Sequence, residues 1–208
     1  PIGPRPGPPT GASMRSVGVN PVWVSRCAER LRGVPVQVAT VIGFPVGAPA
    51  PEIKRREAAL AVSHGATELD MVVALGHIKS GEWNHVADDI AAVVEGAAGT
   101  LVKVIIESAA LSPVEIIKAC AIAKEMRAQY VKTSTGFHAA GGASAEAVAL
   151  MRLVVGDRRL GRKGHLAARR SRTGRDPPGD RLSLGLGIEL RQEQVIEALG
   201  ADSLDRRR

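Results

Sequence analysis

Aromatic residues are scarce in this chain of 208 residues and make up only 2% of it. A hydrophobic core must therefore be built from Ala, Val, Ile and Leu, which is typical of the buried strands of parallel sheets. The few rings also offer little on which nucleic-acid bases could stack. The composition thus favours packed strand–helix units and weakens a nucleic-acid-binding interpretation.

Cysteine and long apolar runs are also rare. Cys27 and Cys120 are the two cysteines, and both fall in predicted helices without the spacing of a disulfide framework, so we expect a cytoplasmic protein. No apolar run approaches the ~18 residues that a membrane span needs, and the first residues lack the apolar segment of a secretory signal. We therefore expect no membrane partner.

Positive charge is unevenly distributed. The chain carries a net charge of +7, yet residues 35–156 contain more acidic than basic residues, so the excess lies at the two ends. Apart from Lys163, the basic residues of 1–34 and 157–208 are all arginines. A basic nucleic-acid-binding protein is an alternative that the Arg-rich end favours. However, no recognised binding fold accompanies the arginines, so we expect no nucleic-acid partner.

The chain divides into three parts by composition. Residues 1–15 are rich in proline and glycine and are predicted to be disordered. Residues 16–156 are predicted to form the folded core. Residues 157–208 are Arg-rich and show no hydrophobic period of 2 or 3.6 residues. Lysine nearly disappears at both ends while Arg, Pro and Gly rise, so we hypothesise that the ends are translated out of the reading frame of the core.

Strands and helices are predicted to alternate through the core. The predicted strands are 16–19, 36–41, 68–73, 101–106 and 130–133, and the predicted helices are 21–32, 52–63, 83–95, 113–127 and 144–155. Strand starts recur about every 30 residues, the length of one β-α unit. The pattern indicates an α/β fold with a parallel sheet, either a (β/α)8 barrel or an open doubly wound sheet. No Gly-x-Gly-x-x-Gly turn or phosphate-binding Gly-Lys-Ser/Thr loop is present, which favours the barrel.

Three successive predicted strands each carry an ionisable residue in an apolar setting: Asp70, Lys103 and Lys132. A strand buried on both faces accommodates a lone charge poorly, so three such residues on neighbouring strands indicate a shared polar site. A partly desolvated lysine is a usable amine nucleophile, and a nearby carboxylate can transfer protons. On residue type alone, the simpler interpretation of Lys132 is a solvated lysine at a strand end. The residues therefore leave two interpretations open, a lysine-based carbonyl site and a structural ion-pair cluster.

Other chemistries have little support. The histidines at 64, 77, 85, 138 and 165 lack a metal-binding spacing such as His-Glu-x-x-His. The serines lack the nucleophile elbow of hydrolases. We expect no metal and no cofactor.

Four ordered runs resemble the deoxyribose-phosphate aldolase family. They are Val-Ala-Thr-Val-Ile-Gly-Phe-Pro-Val-Gly (38–47), Glu-Leu-Asp-Met-Val (68–72), Val-Lys-Val-Ile-Ile-Glu (102–107) and Val-Lys-Thr-Ser-Thr-Gly-Phe (131–137). The resemblance covers roughly residues 17–163. It implies a cytoplasmic class I aldolase on a (β/α)8 barrel, a dimer or another small homo-oligomer. Such an enzyme interconverts 2-deoxy-D-ribose 5-phosphate with acetaldehyde and D-glyceraldehyde 3-phosphate without a metal.

The resemblance assigns roles to single residues. Lys132 matches the lysine that forms the Schiff base, and Asp70 matches the carboxylate of the proton relay. Lys103 matches a strand lysine that lines the site. Thr135 and Gly136 fall in a loop that holds the phosphorylated sugar, where backbone N–H groups can meet phosphate oxygens.

The ends depart from the family pattern. Nothing matches the family's first strand, and Gly18 stands where the family usually has a cysteine. Lys163 falls one residue late for the second active-site lysine, and the phosphate-binding Ser-Gly-Gly that should follow is absent. We therefore expect an incomplete barrel, with its first strand missing and its seventh and eighth degraded. An inactive barrel remnant is the main alternative to an active aldolase.

Overall fold

The computed structural model describes residues 15–156. The strands are β1 (Ser16–Val19), β2 (Gln37–Ile42), β3 (Glu68–Val72), β4 (Leu101–Ile105) and β5 (Tyr130–Lys132). The helices are α1 (Val24–Arg30), α2 (Pro51–Ser63), α3 (Leu75–Lys79), α4 (Trp83–Gly96), α5 (Pro113–Glu125) and α6 (Ala145–Val155). Short 3-10 turns occupy Pro21–Trp23 and Ser108–Ala110.

The five strands form one parallel sheet in the order β1-β2-β3-β4-β5. Each strand lies beside the one that precedes it in the chain. A doubly wound sheet would instead reverse its strand order part-way. The described residues thus supply five of the eight strands of a (β/α)8 barrel. The predictions for the first, seventh and eighth strands concern residues outside the described range.

Alternate side chains of the strands face the helices and form the hydrophobic core. This face is aliphatic, as the scarcity of aromatics predicts, and includes Leu69, Met71, Val102, Val104 and Val131. These side chains are at most 3% exposed. The residues between them point to the opposite face, which becomes the inside of a barrel.

Helix starts follow the local sequence. Helix α5 begins with a capping box, since the Ser112 hydroxyl accepts from the Glu115 N–H at 3.3 Å and the Glu115 carboxylate accepts from the Ser112 N–H at 2.7 Å. The single helix predicted at 21–32 is wrong in part. Asn20 caps a 3-10 turn, and α1 begins only at Val24.

Helix α3 lies where the sequence predicts only a connection. It has five residues, and Ile78 is the one buried among them. A segment this short cannot show a 3.6-residue period, so its pattern gives no signal. None of the helices between residues 15 and 156 has the length and apolarity needed to span a bilayer.

A buried ion pair joins α2 to α4 behind the sheet. The Lys54 ammonium lies 2.7 Å from the Asp89 carboxylate and also donates to the Val72 carbonyl at 2.9 Å. Asp89 accepts from the Ala74 N–H at 2.9 Å. Both residues are fully buried. Burial lowers the pKa of Lys54 and raises the pKa of Asp89, in each case against the attraction between the two charges.

The connection from β2 to α2 passes close to the end of β3. At Gly47, which has φ +69°, an added Cβ would lie 1.9 Å from the Val73 carbonyl oxygen. No other residue type fits this approach without moving the backbone. The glycine therefore fixes the connection against the carboxyl end of β3.

Candidate active site

Two lysines and two carboxylates meet on the inner face of β3, β4 and β5. Lys103 donates to Glu68 at 2.6 Å and to Asp70 at 2.9 Å. Lys132 donates to the other oxygen of Asp70 at 2.9 Å. The predicted convergence of Asp70, Lys103 and Lys132 is thus present in the structure, with Asp70 between the two ammonium groups.

Strand register produces this arrangement. Asp70 lies opposite Lys103, and Lys132 lies opposite Ile105, two positions further toward the carboxyl end of the sheet. Because alternate residues share a face, Glu68 and Asp70 both point inward. Lys132 is the last residue of β5, at the end of the sheet where (β/α)8 enzymes hold their catalytic groups.

The two lysines have different surroundings. The side chain of Lys103 is 19% exposed and contacts two carboxylates, whereas that of Lys132 is 32% exposed and contacts one. Burial by itself would lower the pKa of Lys103, but the charge of Asp70 and the hydrogen bonds that Lys103 donates to Glu68 and Asp70 outweigh it and raise the pKa. Lys103 therefore stays an ammonium ion at neutral pH.

Glu68 was not predicted as part of the site. Its two-residue spacing from Asp70 is a signal that was available, because that spacing puts both side chains on one face of a strand. The position of Gly18 is also on this inner face, since Gly18 pairs with Ala39 and Ala39 with Glu68. Among residues 15–156, no atom lies within 4 Å of where a Cβ of Gly18 would be.

A buried glutamate holds the loop that follows Lys132. Glu107 is 2% exposed, and its carboxylate accepts from both the backbone N–H and the hydroxyl of Thr135. Two backbone hydrogen bonds also connect the segments that follow β4 and β5. The Ser108 N–H donates to the Thr133 carbonyl at 2.7 Å, and the Ile106 N–H donates to the Lys132 carbonyl at 3.0 Å. Glu107 adopts φ +53°, an uncommon conformation for this residue type. Sequence reasoning missed its role, because a contact across 28 residues leaves no local pattern.

The predicted substrate loop is present at the carboxyl end of β5. Gly136 is exposed and has φ +85°. Both donors of Thr135 are occupied by Glu107, so Thr135 shapes the loop in this structure. Substrate binding by Thr135 and Gly136 stays a prediction. Lys163 lies outside the described residues, so its predicted role stays a prediction too.

A second cluster lies between α3 and α4. The potential ligand atoms of His77, Glu82 and His85 all lie within 4.8 Å of one another. The sequence predicts no metal site here, because the histidines lack a spacing such as His-Glu-x-x-His, which places two histidines on one helix. Here the ligands come from two helices and the turn between them.

Comparison with known proteins identifies the family. Curated deoxyribose-phosphate aldolases from Mannheimia succiniciproducens and Streptococcus uberis are 48% and 52% identical to this chain, over 143 and 141 residues. The chain belongs to the deoxyribose-phosphate aldolase family. The matches cover 69% and 68% of this chain but only 63% and 64% of those aldolases, so the chain spans less than two thirds of their length.

Solved structures agree with this family. A putative deoxyribose-phosphate aldolase from Coccidioides immitis is 41% identical, with a TM-score of 0.66 over 67% of this chain and 55% of that one. A tetrameric deoxyribose phosphate aldolase from Aeropyrum pernix is 29% identical, with a TM-score of 0.61 over 68% of this chain and 59% of that one. No family model matches the chain.

Proposed function

We propose that this chain carries the class I aldolase site that cleaves 2-deoxy-D-ribose 5-phosphate to acetaldehyde and D-glyceraldehyde 3-phosphate, in deoxyribonucleotide catabolism. The observation that supports it most is the continuous contact from Lys132 through Asp70 to Lys103. A nucleophilic amine, a proton acceptor and a fixed positive charge are the groups that Schiff-base chemistry needs. The names of the relatives support the choice of substrate.

Lys132 is the better nucleophile of the two lysines. Lys103 is held between Glu68 and Asp70 and remains charged, so its nitrogen has no free electron pair. Lys132 is more exposed, has one carboxylate partner and stands at the end of its strand. The fixed charge of Lys103 also keeps one oxygen of Asp70 in place while the other faces Lys132.

The reaction follows from these contacts. A proton leaves Lys132 for Asp70, and the free amine adds to the aldehyde carbon of the open-chain sugar. Loss of water, with the proton supplied by Asp70, gives an iminium ion. The C2–C3 bond then breaks and its electron pair moves toward the iminium nitrogen. The C3 hydroxyl gives its proton to the Asp70 carboxylate, which later returns it to C2, and glyceraldehyde 3-phosphate leaves. Protonation of the enamine at C2 and addition of water release acetaldehyde and the free lysine.

The proposal also covers the cellular location of the enzyme, its oligomeric state and its need for a metal or cofactor. It acts as a cytoplasmic homo-oligomer whose aldolase chemistry needs no metal or cofactor, with residues 16–156 as its folded core. The tetrameric relative from Aeropyrum pernix supports self-association in this family. The alternatives are an inactive barrel remnant, in which the lysines and carboxylates only stabilise the sheet, and a basic nucleic-acid-binding protein. DNA binding with a steep salt dependence would favour the last.

Borohydride trapping tests the proposal directly. The full chain is incubated with 2-deoxy-D-ribose 5-phosphate and sodium borohydride, digested, and its peptides are weighed. We expect a reduced adduct on the peptide that contains Lys132, and no adduct in Lys132→Ala. Lys124→Ala, a lysine whose ammonium contacts only the Val154 carbonyl among the described residues, is the matched control and should still be trapped.

Two results would contradict the proposal. An adduct confined to another lysine would move the nucleophile elsewhere. No adduct on any lysine, from a chain that circular dichroism shows to be folded, would favour the inactive remnant.

A further inference from the structure

Three metal-ligating side chains that the aldolase site does not use converge beside α4. His77 belongs to α3, Glu82 directly precedes α4, and His85 lies in the first turn of α4. Their potential ligand atoms lie within 4.8 Å of one another. We propose that His77, Glu82 and His85 bind one divalent transition-metal ion of the zinc type.

The donor atoms decide the class of ion. Two imidazole nitrogens and one carboxylate oxygen suit zinc and its neighbours in the transition series, whereas Mg²⁺ and Ca²⁺ prefer sets of oxygens. Three protein ligands leave the fourth tetrahedral position to water. With bonds of about 2.0–2.2 Å, a tetrahedral zinc ion needs its ligand atoms about 3.4 Å apart. The potential ligand atoms lie within 4.8 Å of one another, so the proposal requires the side chains to rotate to that spacing when the ion binds.

The backbone already brings the three residues together. The Glu82 N–H donates to the His77 carbonyl at 2.9 Å, and Gly81 makes the turn between them with φ +73°. Ile78 and Val86, each next to one histidine, are at most 1% exposed and anchor both helices in the core. No loop therefore has to become ordered when the ion binds, and this lowers the entropic cost of binding.

The contacts within the cluster are those of a preassembled ligand set. The Nδ1 atom of His77 is hydrogen-bonded to the Glu82 carboxylate. The rings of His77 and His85 stack with centroids 4.9 Å apart and 14° between their planes.

Space for the ion and its water exists beside the cluster. His77 and Glu82 border an open groove of about 610 Å³ between α3 and residues 46–51 of the β2–α2 connection. Neither histidine belongs to the hydrophobic core, so the site is reachable from solvent. It shares no residue with the lysine site, and its occupancy does not depend on aldolase activity.

Zinc titration of the full, tag-free chain tests the site. The chain is freed of metal with a chelator and titrated with zinc chloride against a chromophoric zinc indicator. We expect one tightly bound zinc per chain, and an affinity lower by at least about tenfold in His77→Ala and in His85→Ala, since removal of even outer-shell partners costs 10–100-fold. Glu82→Ala should weaken binding in the same way, whereas Glu82→His, which supplies another imidazole, should preserve it.

The histidines outside the cluster give the controls. His64→Ala and His138→Ala should bind zinc like the unchanged chain, and Mg²⁺ should not displace zinc. The proposal is overturned if the unchanged chain binds no zinc, if the double variant of His77 and His85 binds it as tightly, or if Mg²⁺ competes equally. Circular dichroism of each variant separates loss of the site from loss of the fold.

Discussion

Asp70 joins the two lysines of the site, with one carboxylate oxygen on each ammonium group. In the proposed reaction it therefore has two roles, as a proton acceptor for Lys132 and as the partner that fixes Lys103. A substitution that keeps the shape of the Asp70 side chain but removes its charge would distinguish these two roles from a contribution to packing alone.

Asp70→Asn should lower turnover by a factor of about 10²–10⁴, the usual contribution of a positioned acid–base group. KM should change much less, because Asp70 acts on the reacting amine rather than on the phosphate. Steady-state kinetics with deoxyribose phosphate measures both. Asp88→Asn, an exposed carboxylate on α4, is the matched control and should leave turnover unchanged. If Asp70→Asn reduced stability alone, the cluster would be structural.

Lys103 should make stability depend on alkaline pH. Its pKa is raised above the ordinary value of 10.5 in the folded state, so its contribution is fully present below that value and is lost as pH rises through the folded pKa. The unfolding free energy of the unchanged chain should therefore fall relative to Lys103→Met above about pH 10.5. Urea unfolding across this range measures the difference. Parallel profiles would contradict the assignment.

The sequence predicted the central part of this site for a physical reason. Asp70, Lys103 and Lys132 stand out because a charge inside an apolar strand is costly wherever it lies. Glu68, at the start of its strand, lacks that contrast, and the bond between Glu107 and Thr135 depends on how two loops meet. Such long-range contacts can be seen only in the folded chain.

At the scale of elements, the buried pair of Lys54 and Asp89 ties α2, α4 and the end of β3 together. The two charges attract each other and are also hydrogen-bonded to backbone groups, the Val72 carbonyl and the Ala74 N–H. Nothing in the sequence singles out this pair, because Lys54 sits in a run of charged residues typical of an exposed helix face.

Lys54→Met should destabilise the chain by about 3–5 kcal/mol, because it leaves Asp89 charged, buried and without its partner. The double variant Lys54→Met/Asp89→Leu should be more stable than either single variant, since no lone charge remains. Urea unfolding followed by tryptophan fluorescence measures all three. Arg56→Met, an exposed residue on the same helix, should change stability little. A double variant less stable than both singles would argue against the mechanism.

Strands were predicted more accurately than helix ends. The start of each of β3, β4 and β5 agrees with the sequence, because buried strands are short apolar runs with clear limits. The beginning of α1 differs because Asn20 and Pro21 can begin a 3-10 turn as well as a helix. A 3-10 turn and an α-helix can begin with the same capping residues, so the local sequence cannot distinguish the two.

At the scale of the whole molecule, a closed (β/α)8 barrel needs eight strands, and residues 15–156 form five of them. Among residues 15–156, β1 and β5 each pair on one side only, and an unpaired edge is a site of aggregation. The relatives share 141–143 residues with this chain and extend well beyond that stretch. Barrel closure requires the remaining strands.

The gene offers a decisive test of the unusual ends. If residues after 156 are out of frame, one of the other two frames beyond that codon should encode a Lys-Ala-Ser-Gly-Gly-like run followed by a Gly-Leu-Ser-like run. The chain with its Arg-rich end should then be poorly soluble and nearly inactive, whereas a chain translated in the corrected frame should be soluble and active. If neither frame contains these runs, the Arg-rich end is a genuine departure from the family.

The alternation of side chains along β3 has a consequence for engineering. Leu69 and Met71 face the helices, while Glu68 and Asp70 face the inside, so neighbours joined by one peptide bond serve folding and chemistry separately. A library that varies only inward positions therefore leaves the hydrophobic core that β3 shares with the helices unchanged. Deleting one residue from β3 would exchange the two faces, and the chain would lose its folding core and its reactive groups in a single step.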